Sequence, residues 1–273
     1  MQEIDLEKKV KELRKTIFRT ICKGGGGHIP ASLSIAEILV VLYYSILRID
    51  PQNPRESGRD RFILSKGHAG VALYAILADK GFFDKGELDK FGRSGAILGG
   101  HPDMYSVPGI EASTGSLGHG LAFGAGVALA AKMDKKDYRV FVLLGDGECQ
   151  EGTVWETALF APQHKLDNLT AIIDYNKLQA MDRLDKIISL DPLVDKWKSF
   201  GWEVREVDGH DINNLRDILK AVPFAFGKPS LIIANTIKGK GISFMENAPI
   251  WHYRLPNSDE MKIACDELGL EYF

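Results

Sequence analysis

The sequence contains no long hydrophobic run and no apolar amino-terminal segment. None of its apolar stretches approaches the roughly 20 residues that a membrane-spanning helix needs. The first ten residues, MQEIDLEKKV, are rich in charge, whereas a signal peptide has an apolar centre. These two absences argue against a membrane protein and a secreted protein, and they predict a cytoplasmic location.

Cysteine and net charge are also scarce. The 273 residues include three cysteines, Cys22, Cys149 and Cys265, which are widely spaced and lack the spacing of a metal site. We therefore expect reduced thiols rather than a disulfide framework. A formal net charge of −3 gives no basic surface that would attract nucleic acid. With 45% hydrophobic residues the chain can bury a large core, and we predict a single domain over residues 1–273.

The stretch over residues 140–176 carries the clearest structural pattern in the chain. An apolar run over 140–144 ends in a Gly-Asp-Gly turn, and a second run over 169–174 is followed by Tyr-Asn. Such runs are typical of buried parallel strands, and the segment between them is long enough for a helix. Parallel strands joined by one crossover end at the same edge of a sheet, so Asp146 and Asn176 should lie close together.

Asp146 and Asn176 are candidate ligands of a small cation. Neighbouring strands lie about 4.8 Å apart and magnesium binds oxygen at about 2.1 Å, so one oxygen from each side chain can reach the same ion. Magnesium held by so few protein groups normally completes its shell with phosphate oxygens and water, and open α/β sheets bind ligands at the carboxyl ends of their strands. The pair therefore predicts a diphosphate ligand, although each residue by itself is equally typical of a tight turn.

Three glycine-rich or irregular segments carry histidines. Four consecutive glycines at 24–27 precede His28, a Ser-Lys-Gly-His turn ends at His68 and opens onto a helix, and an irregular segment over 83–105 contains His101. Backbone amides, serine and imidazole at a helix start suit a phosphate oxygen, which makes His68 a candidate ligand. Each segment also has a plainer explanation, namely a helix-to-helix connector, a helix cap and a lone surface histidine.

The rest of the chain alternates between helix and strand patterns. This alternation favours an α/β fold with a doubly wound, mostly parallel sheet and helices on both faces. An amphipathic helix should end at Gly24, Ser34 should cap a helix over 35–47, and Thr153 with Glu156 should form a capping box. Strands are expected at 62–64, 140–144, 169–174, 202–207 and 231–235, and further helices at 69–79, 121–133, 191–200 and 212–221. The last twenty residues carry little pattern.

Seven segments of the chain stand out: KGGGGHIPASLS, LSKGHAG, GGHPD, ASTGSLGHG, GDGECQEG, DYNKLQ and IKGKG. Their order is the one in which transketolases show similar segments. From about Leu13 to His252 the sequence resembles the amino-terminal half of transketolase, and its Gly-Asp-Gly turn with Asn176 resembles that family's thiamine diphosphate motif. The resemblance implies the family's diphosphate-binding domain, thiamine diphosphate as cofactor, and Mg²⁺ or another divalent cation. The chain departs from the family in its extra glycines before His28 and in His119, where a glutamine is expected.

The resemblance also implies roles for individual residues. His28, His101 and His252 would manage hydroxyl protons of the substrate, and Glu151 would lie at a subunit interface and help connect the cofactors. The cofactor would be bound by His68, Gly115, Leu117, Gly145, Asp146, Gly147 and Asn176, and the cation by Asp146, Asn176 and the main-chain carbonyl of Leu178.

A full-length transketolase continues with a pyrimidine-binding domain and a carboxyl-terminal domain, whereas this sequence ends at Phe273. The resemblance therefore implies the amino-terminal subunit of a split transketolase, active only with a second subunit that carries both domains, in two copies of each chain. The expected reaction, of the pentose phosphate pathway type, transfers a two-carbon ketol unit from a ketose phosphate to an aldose phosphate. Two alternatives stay open: a related thiamine diphosphate enzyme for a branched or sulfonated sugar phosphate, and a non-catalytic subunit that only binds a partner.

Overall fold

A parallel sheet forms the centre of the computed structural model, which describes residues 4–273. The first three residues of the charged amino-terminal segment lie outside the described residues. The strands are β1 (Arg61–Leu64), β2 (Val140–Gly145), β3 (Leu169–Tyr175), β4 (Glu203–Asp208) and β5 (Ser230–Asn235). They pair in the order β1-β2-β3-β5-β4, and every pairing is parallel. The predicted α/β class is confirmed.

Helices cover both faces of the sheet. They are α1 (Leu6–Gly24), α2 (Ile29–Leu33), α3 (Ala36–Val41), α4 (Gly70–Lys80), α5 (His119–Met133), α6 (Gly152–Gln163), α7 (Leu184–Ile187), α8 (Leu193–Ser199), α9 (Ile212–Lys220) and α10 (Ser258–Leu268). Short 3₁₀ turns lie at Gly67–Ala69, Lys85–Lys90, Gly147–Gln150 and Pro249–Trp251, and a π-turn at Leu42–Ile46. Within residues 4–273 no helix combines the length and the apolar character that crossing a bilayer requires.

Side chains of the central strands alternate between two apolar cores. Along β2, Phe141 and Leu143 enter one core, and Val142 and Leu144 enter the other. The first core contains α1, α3, α4 and α9, and the second contains α5, α6 and α8. Successive residues of a strand point to opposite faces, so a strand covered on both sides is apolar throughout. This is why the central strands could be found as uninterrupted apolar runs.

The ends of most predicted elements lie within two residues of the observed ends, and α1 ends at Gly24 as predicted. The predicted capping box before α6 is wrong. The residue that precedes this helix is Glu151, no side chain caps it, and Thr153 lies inside its first turn with a buried, unpartnered hydroxyl. A 3₁₀ turn after Asp146 leads directly into the helix, so the helix begins before Thr153 could cap it.

The predicted continuous helix over 35–47 is also wrong, because the chain forms α2, α3 and a π-turn in this region. Ser34 does not cap the start of α3, which follows Ile35. Its side chain is fully buried, and its hydroxyl donates a hydrogen bond to Asp174 Oδ2 on β3 at 2.7 Å. The hydroxyl that local sequence predicts to cap a helix therefore bonds instead to a buried carboxylate from a distant part of the chain. A further helix, α10, occupies the carboxyl-terminal region where the sequence carried little pattern, and Asn257 and Glu260 form its capping box.

Candidate active site

The predicted site residues all line one pocket of about 450 Å³, at the edge of the sheet where the strands have their carboxyl ends. These residues are His28, His68, His101, Gly115, Leu117, Gly145, Asp146, Gly147, Glu151, Asn176, Leu178 and His252. The same pocket is lined by Lys66, Glu148 and Lys238, which sequence reasoning did not assign to the site. The fold therefore brings the sequence motifs together, and it adds two ammonium groups and a carboxyl group.

Asp146 and Asn176 leave the sheet at neighbouring positions. Gly145 of β2 lies opposite Asp174 of β3 in the strand register, so the chain that follows each strand starts at the same edge. Both Asp146 and Asn176 are buried. The prediction that these two residues share one edge of the sheet is confirmed.

The Asp146 carboxyl group is held by backbone amides. Gly147 N donates to Oδ1 at 2.7 Å and Lys177 N donates to Oδ2 at 2.5 Å. Burial raises the pKa of Asp146 to about 6, and the nearby charge of Asp174 acts in the same direction. A cation placed against this carboxyl group would relieve both effects, which is how a metal ligand behaves.

The polar atoms around Asp146 fit a hard cation that has few protein ligands. Within residues 4–273 no three His, Cys, Asp or Glu side chains form a cluster that could hold a metal. A cation here would draw on oxygens of Asp146, Asn176 and the Leu178 carbonyl, and on phosphate, which is the oxygen-rich environment magnesium prefers. The Leu178 carbonyl already accepts a hydrogen bond from Lys238 Nζ at 3.0 Å, and its second lone pair is left for an ion.

Asp174 connects four parts of the chain beneath the pocket. Its Oδ2 accepts hydrogen bonds from Lys66 Nζ at 2.5 Å, Ser34 Oγ at 2.7 Å and Asn176 Nδ2 at 3.0 Å, and its Oδ1 accepts one from the Thr236 hydroxyl. Asp174 is fully buried. Burial by itself would raise its pKa, but the charge of Lys66 and the hydrogen bonds bring the pKa below its usual value. The carboxylate is therefore ionised at neutral pH.

Lys238 brings a buried positive charge to the pocket. Lys238 is 3% exposed. Its Nζ donates hydrogen bonds to the carbonyl oxygens of Leu178 at 3.0 Å and Gln179 at 3.2 Å, and to His252 Nδ1 at 3.2 Å. Among the described residues no carboxylate forms an ion pair with it. Burial and the nearby Lys66 lower the pKa of Lys238 to about 8. The carboxylates of Asp146 and Asp174 attract the Lys238 ammonium without forming an ion pair with it, and a buried ammonium group without an anion in contact is costly, so this position favours an anionic ligand.

Three imidazoles lie together in the wall of the pocket. The His28 ring centre is 5.1 Å from that of His68, 4.9 Å from that of His252 and 4.9 Å from that of Tyr253. Burial and neighbouring positive charge lower the pKa values of His28 and His252 to about 4, and that of His68 well below its usual value. These rings are neutral at pH 7. Because Lys238 can only donate, His252 Nδ1 accepts and its ring proton lies on Nε2.

Two glycines allow the backbone loops that form part of the pocket wall to lie close together. Gly115 has φ +153°, and a Cβ atom there would lie 3.1 Å from the His101 ring. A Cβ atom at Gly67 would lie 2.8 Å from the backbone nitrogen of Gly115. Side chains at either position would separate the two loops, so the sequence needs glycine where the backbone approaches the pocket.

Glu148 ties together the loops that form this wall. It is buried, and it accepts hydrogen bonds from Gly118 N at 2.8 Å, Gly145 N at 3.0 Å and the Ser65 hydroxyl. Burial raises its pKa above the usual value. Glu148 thereby fixes the ends of β1 and β2 relative to the start of α5.

Sequence reasoning missed Lys66, Glu148, Asp174 and Lys238. A usable signal existed for three of them, because both lysines follow strand ends and Asp174 is the one charged residue in its strand. Glu148 carried no such signal, since an acidic residue after Gly-Asp-Gly is equally suited to a helix start.

Comparison with known proteins gives a family. The chain matches the family described as "Transketolase, thiamine diphosphate binding domain" over residues 6–272. It is 43% identical over 269 residues to one of the apulose-4-phosphate transketolase subunits of Phocaeicola vulgatus, covering 98% of this chain and 95% of that protein. It is 44% identical over 270 residues to the 6-deoxy-6-sulfo-D-fructose transketolase subunit SqwG of a Clostridium species, covering 99% and 98%.

The fold gives the same result. The crystal structure of transketolase from Campylobacter jejuni superimposes with a TM-score of 0.91 at 30% identity, covering 99% of this chain and 44% of that one. The chain thus covers nearly the full length of the proteins named as subunits, but less than half the length of that transketolase. The sequence match, the superposition and the pocket agree, and the chain belongs to the transketolase family through its thiamine diphosphate-binding domain.

Proposed function

We propose that the chain is the diphosphate-binding subunit of a two-chain transketolase that moves a two-carbon ketol unit between sugar phosphates. The observation that carries the proposal is the buried ammonium of Lys238, which has no carboxylate partner among the described residues and lies beside three neutral imidazoles. An anion such as the diphosphate of the cofactor would satisfy it. In the same pocket, Asp146 and Asn176 offer oxygens for the cation that accompanies a diphosphate.

The chain's own groups divide into three tasks. His68, Lys238 and the backbone around Gly115 would bind the diphosphate, with Gly145 and Gly147 allowing its close approach and Leu117 lying against a ring of the cofactor. The cation would be Mg²⁺ or a similar ion, bound by Asp146, Asn176 and the Leu178 carbonyl. Thiamine diphosphate, when bound, supplies the nucleophilic carbon that carries the two-carbon unit.

Protons of the substrate would be managed by His28, His101 and His252. The neutral rings of His28 and His252 suit this task, because a neutral imidazole can accept a proton at one nitrogen and donate one at the other. His252 can donate from Nε2, since its Nδ1 is occupied by Lys238. Glu151, which is exposed at the start of α6 and lines the pocket, would lie where a neighbouring subunit joins.

The sugar substrate is the point on which two candidates differ. A common transketolase would accept xylulose 5-phosphate, whereas the relatives are named for apulose 4-phosphate and for 6-deoxy-6-sulfo-D-fructose. These names favour a branched or sulfonated sugar as the second candidate. A panel of ketose donors and aldose acceptors, assayed with the assembled enzyme, separates the two. Transfer from xylulose 5-phosphate supports the first candidate, and its absence together with transfer from an unusual sugar supports the second.

The second subunit would carry the pyrimidine-binding and carboxyl-terminal domains, in an assembly with two copies of each chain in the cytoplasm. Relatives named as subunits support a partner. The surface also supports one, because α5 and α6 expose apolar side chains, with Phe123, Met133 and Leu159 exposed by 45%, 75% and 62%. The three cysteines are free thiols, as a reducing compartment requires.

The decisive experiment is calorimetric titration of thiamine diphosphate and Mg²⁺ into the purified chain, first alone and then with the second subunit. Tight binding by the mixture only is the expected result, since each chain would supply part of the site. Tight binding by the chain alone would refute the shared site.

A non-catalytic role would be indicated if Asp146→Ala abolished cofactor binding and left the function in cells unchanged.

A further inference from the structure

We infer that Asp174 is a positioning residue that sets two residues of the pocket wall at once, Lys66 and Asn176, which both donate to its Oδ2. This inference rests on the proposed function. Asp174 lies beneath the pocket rather than in its wall, so it would act through Lys66 and Asn176, which do line the pocket.

The orientation of the Asn176 amide follows from Asp174. Asn176 Nδ2 donates to Asp174 Oδ2 at 3.0 Å, and the same oxygen also accepts from Lys66 Nζ and Ser34 Oγ, so the atom of Asn176 that faces Asp174 is a donor. The amide oxygen is thereby turned away from Asp174, where it accepts from Leu178 N at 3.1 Å. This is the atom that a cation would use, because only the oxygen of an amide binds magnesium.

The position of the Lys66 ammonium follows from the same oxygen. Lys66 is 1% exposed, and its Nζ donates to Asp174 Oδ2 at 2.5 Å and to the Ala31 carbonyl at 3.1 Å. Without Asp174 the ammonium would be buried with one neutral acceptor, which is unfavourable. Lys66 would then leave its place, which removes positive charge from the pocket.

Two hydroxyls keep the carboxylate from rotating. Ser34, between α2 and α3, donates to Oδ2, and Thr236, just after β5, donates to Oδ1. With Lys66 and Asn176 the carboxylate has four donors, three of them on Oδ2 and one on Oδ1. Four donors from four parts of the chain therefore fix one group, and that group fixes two lining residues.

The test uses Asp174→Asn, which preserves shape and removes the charge. We expect its affinity for thiamine diphosphate with Mg²⁺ to fall by about 10- to 100-fold in the assembled enzyme, the usual cost of losing an outer partner of a metal ligand. Calorimetric titration measures this directly. An affinity within twofold of wild type would overturn the inference.

A readout without ligand separates this inference from the proposed function. In the full chain labelled with ¹⁵N-asparagine, the Asn176 side-chain proton that faces Asp174 should resonate downfield and exchange slowly, and Asp174→Asn should abolish both properties. Identical signals in the two proteins would overturn the inference. A wild-type assembly that binds neither thiamine diphosphate nor Mg²⁺ would refute the proposed function, and the resonance experiment would still decide the orientation of the amide.

Ser34→Ala is the matched control, because it removes one donor to the same oxygen and leaves Lys66 and Asn176 in place. It should lower thermal stability and leave ligand affinity within about threefold. Equal losses of affinity in Ser34→Ala and Asp174→Asn would indicate a merely structural role and overturn the inference.

A double variant covers the case in which Asp174→Asn does not fold. Asp174→Asn with Lys66→Met removes both charges, so no buried ion is left without its partner. If Asp174 acts through Lys66, adding Asp174→Asn to Lys66→Met should weaken diphosphate binding much less than the 10- to 100-fold expected in the wild-type background. A full additional loss in the Lys66→Met background would overturn this half of the inference.

Discussion

The two ends of the sheet each contain a buried carboxylate, and they differ in how its charge is balanced. At the amino ends of β1 and β2, the side chain of Asp60 accepts hydrogen bonds from two guanidinium groups, with Arg139 Nη2 at 2.6 Å and Arg48 Nη2 at 3.0 Å. The backbone amides of the same two arginines donate to it as well. This group needs nothing from outside the chain.

At the carboxyl ends the chain leaves charges without partners of its own. Asp174 pairs with Lys66, but the buried ammonium of Lys238 forms no ion pair among the described residues, and Asp146 has a raised pKa. Burial of unbalanced groups costs stability. The difference between the ends indicates that the amino end serves folding, whereas the carboxyl end is completed by a ligand.

The largest effect should come from Asp146→Ala at the carboxyl end. Losing an outer partner of a metal ligand costs about 10- to 100-fold, so losing the ligand itself should weaken binding of thiamine diphosphate with Mg²⁺ by more than about 100-fold. Thermal stability of the chain should change less than in Asp60→Ala. Calorimetric titration and thermal unfolding check the two parts. Loss of stability without loss of affinity would reverse the proposed division between the ends.

Asp60→Ala should act in the opposite way. Removing one partner of a buried ion pair costs about 3 to 5 kcal/mol, and we expect about 3 kcal/mol here because the two guanidinium groups are partly exposed. Denaturant unfolding measures the loss, and Asp60→Asn is the milder control. The folded fraction should bind cofactor with wild-type affinity in the assembled enzyme. Weakened binding would show that the two ends are coupled.

Acid should unfold the chain by way of carboxylates that lie outside the pocket. Burial would raise the pKa of Asp60, but hydrogen bonds from Arg139 and Arg48 hold it below the usual value. For Asp79, hydrogen bonds from Lys85 and Lys9 outweigh the effect of burial and lower the pKa to about 2. A lowered folded-state pKa stabilises the fold above about pH 4, and this contribution is lost as pH falls towards 2. Unfolding measured across this range should depend less on pH in Asp60→Asn. An unchanged slope would remove Asp60 from the explanation.

The smallest effect should come from Asp137→Asn, at the outer edge of the amino-end network. Asp137 pairs with Arg48 Nη1 at 2.8 Å, but its side chain is 85% exposed. Exposed ion pairs contribute little because water and salt screen them. The midpoint of thermal unfolding should be unchanged at low and at high salt. A clear loss would mean that the orientation of Arg48 depends on its exposed partner.

Local sequence was sufficient for the strands, for several of the helices and for the edge shared by Asp146 and Asn176, because strand periodicity and a single crossover determine which residues leave a sheet together. It was insufficient for Ser34 and Thr153, since both have the chemistry of a helix cap and neither is used as one. Capping patterns describe neighbours along the chain, whereas Ser34 bonds to Asp174, which lies 140 residues away.

The sequence by itself determined the α/β class, the parallel order within the 140–176 unit, and, through ordered motifs, the family and the residues that line the pocket. Only the tertiary structure decided how charge is balanced there. It paired Lys66 with Asp174, left Lys238 without a carboxylate among the described residues, and placed Lys238 against His252. Burial and distance set the cost of a charge, and both depend on segments that meet only when the chain has folded.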